Sequence, residues 1–278
     1  MHDLARAPAP IHAPLAPRPM GALDRARRAR SGVAALGRAG LALALGAAAL
    51  AACGSDPAPT PKVVTAAEVR AFWGLNPGSC WLYRGDTEVV AEVTGPDSVS
   101  VAGRTVYLLQ FRSLSGGLPR EYRLDADSEP GKLLLARLTE GATAQTRVDA
   151  LYQAPLPVWS TLTYDRAGAL VFNAGELIET VTTPRATTEN PSPMPESHRV
   201  TVRDRMKTVG TSTGSAAAIN IAYERAGKTA IWNLVPNYGI ALFTQDGVEH
   251  QVCAARICDA QGNCTGAADC RGALACPR

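Results

Sequence analysis

This chain of 278 residues holds few side chains with the reach to do chemistry. Gly210-Thr211-Ser212-Thr213-Gly214 fits the G-x-S-x-G pattern, in which a sharp strand-to-helix turn exposes a nucleophilic serine. A serine hydrolase of that type would pair Ser212 with His250 beside an oxyanion hole. It also needs a long helix after the serine. Here Ser215 and Ala216 to Ala218 lead into Ile219-Asn220-Ile221, a strand pattern. The run therefore reads as a hairpin turn, and Ser212 is expected to be no nucleophile. His198, in a Pro-rich stretch, and His250, on an expected strand, each read as surface or satisfied residues. Asp259 to Asn263 lacks the alternating acids and closing Glu of a calcium loop. Phosphate loops, dinucleotide fingerprints and HExxH are absent too, so the sequence assigns no catalytic residue, no metal and no cofactor.

The cysteines carry more information. Of seven, Cys53 ends an apolar run, Cys80 stands alone, and Cys253, Cys258, Cys264, Cys270 and Cys276 crowd the C-terminus. Thiolates bind zinc well, but the spacing C-x4-C-x5-C-x5-C-x5-C has no close C-x2-C pair and no histidine. Disulfides in an oxidising compartment are the better reading. The odd number of cysteines in the tail means that full pairing ties Cys80 to one of them. Cys80 opens the first expected strand while Cys253 and Cys258 close the last, so these two are the favoured partners. The other four then pair within the tail.

Cys53 belongs to an address segment. Arg25, Arg27, Arg28, Arg30 and Arg38 form a basic block, and Ala39 to Ala52 follows without a charge. A basic region, a short apolar region and small residues at its end are the parts of a secretory signal. The run is shorter than the roughly 20 residues a spanning helix needs. Leu50-Ala51-Ala52-Cys53, followed by Gly54, resembles the lipobox of bacterial lipoprotein precursors. The resemblance implies a signal peptide over 1–52, with translation starting at Met20 as an option, and cleavage before Cys53. It also implies diacylation of the Cys53 sulfur (palmitate, for example) and acylation of the new amino terminus. Several acyl chains hold a protein to a membrane stably where one does not. Gly54 in place of Asp implies the outer membrane rather than retention at the inner one.

Of 28 basic and 25 acidic residues, seven and two precede Cys53, which leaves 21 and 23. The basicity belongs to the signal, so nothing points to nucleic acid as a partner. Residues 53–64 read as the lipidated cysteine and a Pro- and Ala-rich tether, 65–252 as a β-rich domain, and 253–278 as a Cys-rich tail. Thr65-Ala66-Ala67-Glu68 fits a capping box for one short helix ending near Gly74. Short strands with turns at regular intervals then predict a mainly β fold, an antiparallel sheet forming an open barrel or a sandwich. Ala169–Phe172 and Glu176–Thr182 are expected to pair with each other. Val200, Val202 and Met206 are expected to face inward. Pro184–Ser197, with Pro191, Pro193 and Pro195, is expected to be a long exposed loop.

Gly78-Ser79-Cys80-Trp81-Leu82-Tyr83 is similar to the Gly-x-x-Trp-x-Tyr opening of many uncharacterised bacterial envelope lipoproteins. Val235-Pro236-Asn237-Tyr238-Gly239-Ile240 is similar to the stretch leading into their closing hairpin. That resemblance brings no known activity. The expected function is a non-catalytic, lipid-anchored binding or structural module of the envelope, with the membrane as one partner. The alternative is a carrier of an apolar ligand, a lipid or lipoprotein chain, in a pocket lined by Trp73, Trp81, Trp159 and Trp232.

Overall fold

The computed structural model describes residues 62–96, 101–141, 143–173, 176–245, 247–270 and 276. The signal segment, Cys53 and most of the tether lie outside the described residues. The first element is helix α1 (Ala66–Trp73). Strands β1 (Cys80–Arg84), β2 (Glu88–Thr94), β3 (Tyr107–Ser113), β4 (Arg120–Asp125), β5 (Lys132–Glu140) and β6 (Val148–Tyr152) follow. A hairpin of β7 (Val158–Tyr164) and β8 (Leu170–Phe172) comes next. Then come β9 (Leu177–Thr187), β10 (Met194–Thr211), β11 (Gly214–Arg225), β12 (Lys228–Val235), β13 (Gly239–Gln245), β14 (Val248–Cys258) and β15 (Cys264–Gly266).

The pairing runs β4-β3-β2-β1-β14-β13-β12-β11-β10-β9-β6-β5, and β4 also pairs β5. The antiparallel sheet therefore closes into a barrel of 12 strands, where the sequence left an open barrel or a sandwich as the choices. Closure removes the exposed edges that an open sheet would present to other chains. The fold is otherwise the expected one: mainly β, one N-terminal helix, and disulfides at the C-terminal cysteines.

Helix α1 starts as the capping box predicts. The Thr65 amide donates to Glu68 Oε2 at 2.9 Å, and the Glu68 amide donates to Thr65 Oγ1 at 3.3 Å. It stops at Gly74, whose φ of 69° is the left-handed cap. A side chain at Gly74 would also meet the Trp81 ring and the Tyr238 carbonyl at 2.9 Å each.

Several local expectations change. The last strand runs past residue 252 to Cys258, so two tail cysteines sit in the barrel wall. β8 pairs β7, while β9 pairs β10 and β6, so the two segments expected to pair take different partners. Pro184 and Pro195 stand opposite each other within the β9–β10 pair, which shortens the exposed loop to 188–193. The pair survives because the Pro184 carbonyl faces away from β10 and accepts from the Gln153 amide at 3.0 Å. Its nitrogen faces the same way, so β10 loses no donor. Val200 and Val202 are buried as expected, but Met206 is 74% exposed. Irregularities between Val202 and Asp204 and between Asp204 and Lys207 reset the alternation before it reaches Met206.

Cys80 does bond to the tail, but to Cys270 rather than Cys253 or Cys258. The β1–β14 register explains the difference. Cys80 lies opposite Arg256, so Cys253 is three residues further along, roughly 10 Å at strand rise and beyond disulfide reach. Cys258 bonds Cys264 across the β14–β15 turn instead, and Cys253 bonds Cys276. These bonds hold the tail over the outer face of β1 and β2, where Leu82 and Val90 are buried beside Cys270 and Cys276.

A candidate ligand site at the open mouth of the barrel

The two ends of the barrel differ in chemistry. At one end α1 and the β7–β8 hairpin form a plug. Phe72 meets Phe172 at 5.5 Å, and Trp73 meets Trp159 at 6.0 Å and Trp232 at 6.3 Å between ring centroids. Trp159 and Trp232 are 4.6 Å apart. The Trp73 indole donates to Ser160 Oγ at 2.8 Å, and that of Trp81 to the Tyr238 carbonyl at 2.9 Å. Rings of this size dominate the energetics of a core when they pack on one another. The tryptophans expected to line a pocket thus fill it. The void beside Trp73 and Trp81 has a volume of about 10 Å³, no more than a single water occupies.

The opposite end gathers the C-terminal ends of β1, β3, β5, β9, β11 and β13 and the N-terminal starts of β2, β4, β6, β10, β12 and β14. Alternation along these strands points a ring of polar side chains inward. Direct pairing of His198 with Arg225, and of Arg225 with Lys228, sets three of them side by side. Arg225 is the hub. Its Nη1 donates to Glu196 Oε1 at 3.1 Å, and its Nη2 donates to Glu140 Oε1. Arg185 Nη1 reaches the same Glu196 oxygen at 3.4 Å. Arg120 and Lys228 approach Glu140 at 3.9 and 4.0 Å. Burial opposes the charge of Arg225, but Tyr152, Glu140 and Glu196 around it raise its pKa, so the guanidinium stays charged.

His198 is buried under this ion-pair chain, not on a surface loop. Its Nδ1 lies 2.7 Å from the Tyr223 hydroxyl. Burial, with help from Arg225 and Arg185, lowers its pKa to about 3, so the ring is neutral at neutral pH. The 3.7 Å approach of His198 Nε2 to Glu196 Oε2 is therefore no ion pair. Those two atoms and the Tyr152 hydroxyl are buried with no hydrogen-bond partner, a cost of roughly 1–3 kcal/mol for each group left so. His250 is buried as well, stacked on Phe243 at 4.7 Å, and burial lowers its pKa.

The mouth is concave. A bowl of about 380 Å³ is lined by Phe111, Arg120, Glu140, Lys228, Gln245 and His250 among others. An open groove of about 710 Å³ adjoins it through Lys228 and is lined by Arg185, Glu196, His198 and Arg225. The bowl falls within the size range of small-molecule sites. Among the described residues no group of three or more His, Cys, Asp and Glu side chains is placed to hold a metal ion.

Ser212 lies in the β10–β11 turn, where its hydroxyl accepts from Tyr238 Oη at 3.0 Å and its amide donates to the same oxygen at 3.1 Å. No long helix follows it, and the His250 ring faces Phe243 inside the barrel. The structure thus leaves Ser212 beside Tyr238 at the plugged end, away from His250 at the mouth, and it assembles a polar site that neither motif announced. A signal for it existed: Glu196, His198, Val200 and Val202 alternate with outward residues, and Glu140 ends a strand that begins with the apolar run Leu133–Ala136.

No family model matches the chain, and neither a curated protein nor a solved structure matches it.

Proposed function

We propose that this chain is a lipoprotein of the bacterial cell envelope, anchored through Cys53, whose barrel is a non-catalytic binding module with the polar mouth as its binding face. The observation that carries the binding part is the asymmetry of the barrel ends. One end is packed solid with aromatic rings; the other opens as a bowl of about 380 Å³ over a partly buried ion-pair chain. A solid β-barrel with a polar cleft at its mouth suits recognition. The anchor rests on the resemblance of Leu50-Ala51-Ala52-Cys53 to a lipobox, and Gly54 favours the outer membrane. The described chain enters at the plugged end, where Lys62 Nζ lies 3.9 Å from the Tyr164 ring. The alternative, an apolar carrier, needs a cavity of several hundred Å³ among the tryptophans, and that space is filled.

The test is a pull-down from detergent-solubilised envelope with the wild-type chain and with Lys228→Glu as baits. Lys228 is well exposed at the rim, so the substitution leaves the fold intact. The proposal expects a partner or ligand enriched by the wild type and lost by the variant. Identical recovery by both baits would remove the mouth as the binding face.

A further inference from the structure

We infer that Tyr223 is a redox-active tyrosine, the end point of one-electron oxidation of the tryptophan cluster, with His198 as the base that takes its proton. This activity goes beyond the binding reading above and stands without it.

The rings are connected. Trp73 lies 6.0 Å from Trp159 and 6.3 Å from Trp232, and those two are 4.6 Å apart. Tyr223 touches both of them: it stacks on Trp232 at 5.5 Å and meets Trp159 edge-on at 5.7 Å. Electron tunnelling falls off steeply with distance, so rings in contact exchange an electron far faster than rings with aliphatic packing between them. An electron vacancy on any of these three indoles reaches Tyr223 in one or two short steps.

The Tyr223 hydroxyl decides whether the vacancy stays there. A phenol that loses an electron becomes a strong acid, and it holds the vacancy only when a base takes the proton. His198 Nδ1 lies 2.7 Å from Tyr223 Oη. The other ring nitrogen fixes which of the two donates. His198 Nε2 faces Glu196 Oε2, an oxygen that only accepts, at 3.7 Å. The neutral imidazole therefore carries its proton on Nε2, and Nδ1 offers a lone pair to the Tyr223 O–H. Burial, Arg225 and Arg185 make His198 a weak base, but an oxidised phenol is acidic enough to protonate it. The imidazolium then faces Glu196 Oε2, which has no other partner, with the Tyr152 ring 5.0 Å away. Tyr122 is the rival acceptor of the vacancy, 4.9 Å from Trp159. Its hydroxyl bonds the Arg120 guanidinium, a donor that takes no proton.

An oxidant gains one electron from an indole, and the indole regains one from Tyr223. The phenolic O–H breaks, an N–H forms on His198 Nδ1, and a neutral phenoxyl radical remains. The oxidants that fit are small radicals, because Tyr122 and Tyr223 border a void of about 60 Å³ at the mouth.

Pulse radiolysis with the azide radical, which oxidises indole and leaves as azide, tests this on the full chain. Cys53→Ser is included so that no free thiol competes. The expected result is decay of the indolyl absorbance matched by a phenoxyl rise, slower in heavy water than in light water. Tyr223→Phe keeps the ring stack and should lose the rise, whereas Tyr122→Phe should retain it. His198→Gln keeps an acceptor for the hydroxyl but takes no proton, and it should slow the rise. Absence of the rise in the parent chain, its survival in Tyr223→Phe or its loss in Tyr122→Phe overturns the inference. So does an unchanged rate in His198→Gln, or equal rates in light and heavy water. The heavy-water comparison needs only the parent chain, so it decides even where a variant fails to fold.

Discussion

Arg225 of β11 and Glu140 of β5 are 85 residues apart in the chain and form an ion pair inside the barrel mouth. Glu140 ends a strand of the first half, and Arg225 ends a strand of the second half. Their contact joins the two halves across the opening, with Glu196 as the second carboxylate on the same guanidinium.

Arg225→Ala should be far more damaging than loss of a surface charge, because it removes the shortest ion-pair partner of two poorly hydrated carboxylates. Breaking one partner of a buried pair costs about 3–5 kcal/mol, whereas exposed pairs contribute about 1 kcal/mol or less. Urea unfolding measures it, and adding Glu196→Gln to Arg225→Ala should recover part of the loss. An Arg225→Ala chain as stable as the wild type would contradict the ion-pair account.

Stability should fall with pH in a window set by His198. Unfolded, the ring takes a proton near 6.5; folded, only near about 3. Between those values the unfolded state binds the extra proton, so acidification destabilises the fold by up to about 1.4 kcal/mol per pH unit. Above 6.5 this contribution is constant. His250, also lowered by burial, slopes the same way. Urea midpoints from pH 7.5 to 5 should decline in the wild type, and His198→Gln should flatten the slope. An unchanged slope in that variant would show that His198 does not titrate as described.

Cys80→Ser should cost more than Cys264→Ser. The Cys80–Cys270 bond closes a separation of 190 residues and the Cys258–Cys264 bond one of 6. The chain-entropy account assigns them about 5 and about 2 kcal/mol. Non-reducing peptide mapping checks the connectivity, and chemical unfolding checks the ranking. A Cys80 thiol found free, or bonded to Cys253, would overturn it.

Gly239→Ala should destabilise although it adds one methyl group. The residue has φ of 104°, and a Cβ would lie 2.5 Å from the Trp81 ring, itself fixed by its bond to Tyr238. Overpacking of this kind costs about 1–3 kcal/mol, and left-handed backbone strain adds to it. A melting temperature equal to the wild type would mean that Trp81 can move away. Ser212→Ala, by contrast, should leave the fold intact, and a fluorophosphonate probe should label neither protein; labelling lost in the variant would restore the nucleophile.

Local structure was legible in the sequence and long-range pairing was not. Thr65 and Glu68 announced the helix because a capping box is a contact across three residues. Parity of the cysteines announced that Cys80 reaches the tail. Its partner depends on the β1–β14 register, which no local pattern encodes. Closure of the barrel rests on β4 pairing β5 while β6 leads on to β9, and nothing in either strand's alternation specifies it. The mouth was missed for a related reason. Glu196 and His198 sit among prolines, and prolines argue against a strand except where their missing donors face away from the partner. Arg225 stands opposite His198, and Lys228 opposite Arg225, only through the pairing register, which no local pattern shows.

The central claim, a lipid-anchored module, is tested most directly at its amino terminus. Mass spectrometry of the N-terminal peptide from membrane-extracted protein should find Cys53 as the first residue, heavier by its acyl chains, and Cys53→Ser should move the protein to the soluble fraction. An unmodified terminus upstream of Cys53, or a Cys53→Ser protein that stays with the membrane, would contradict the account.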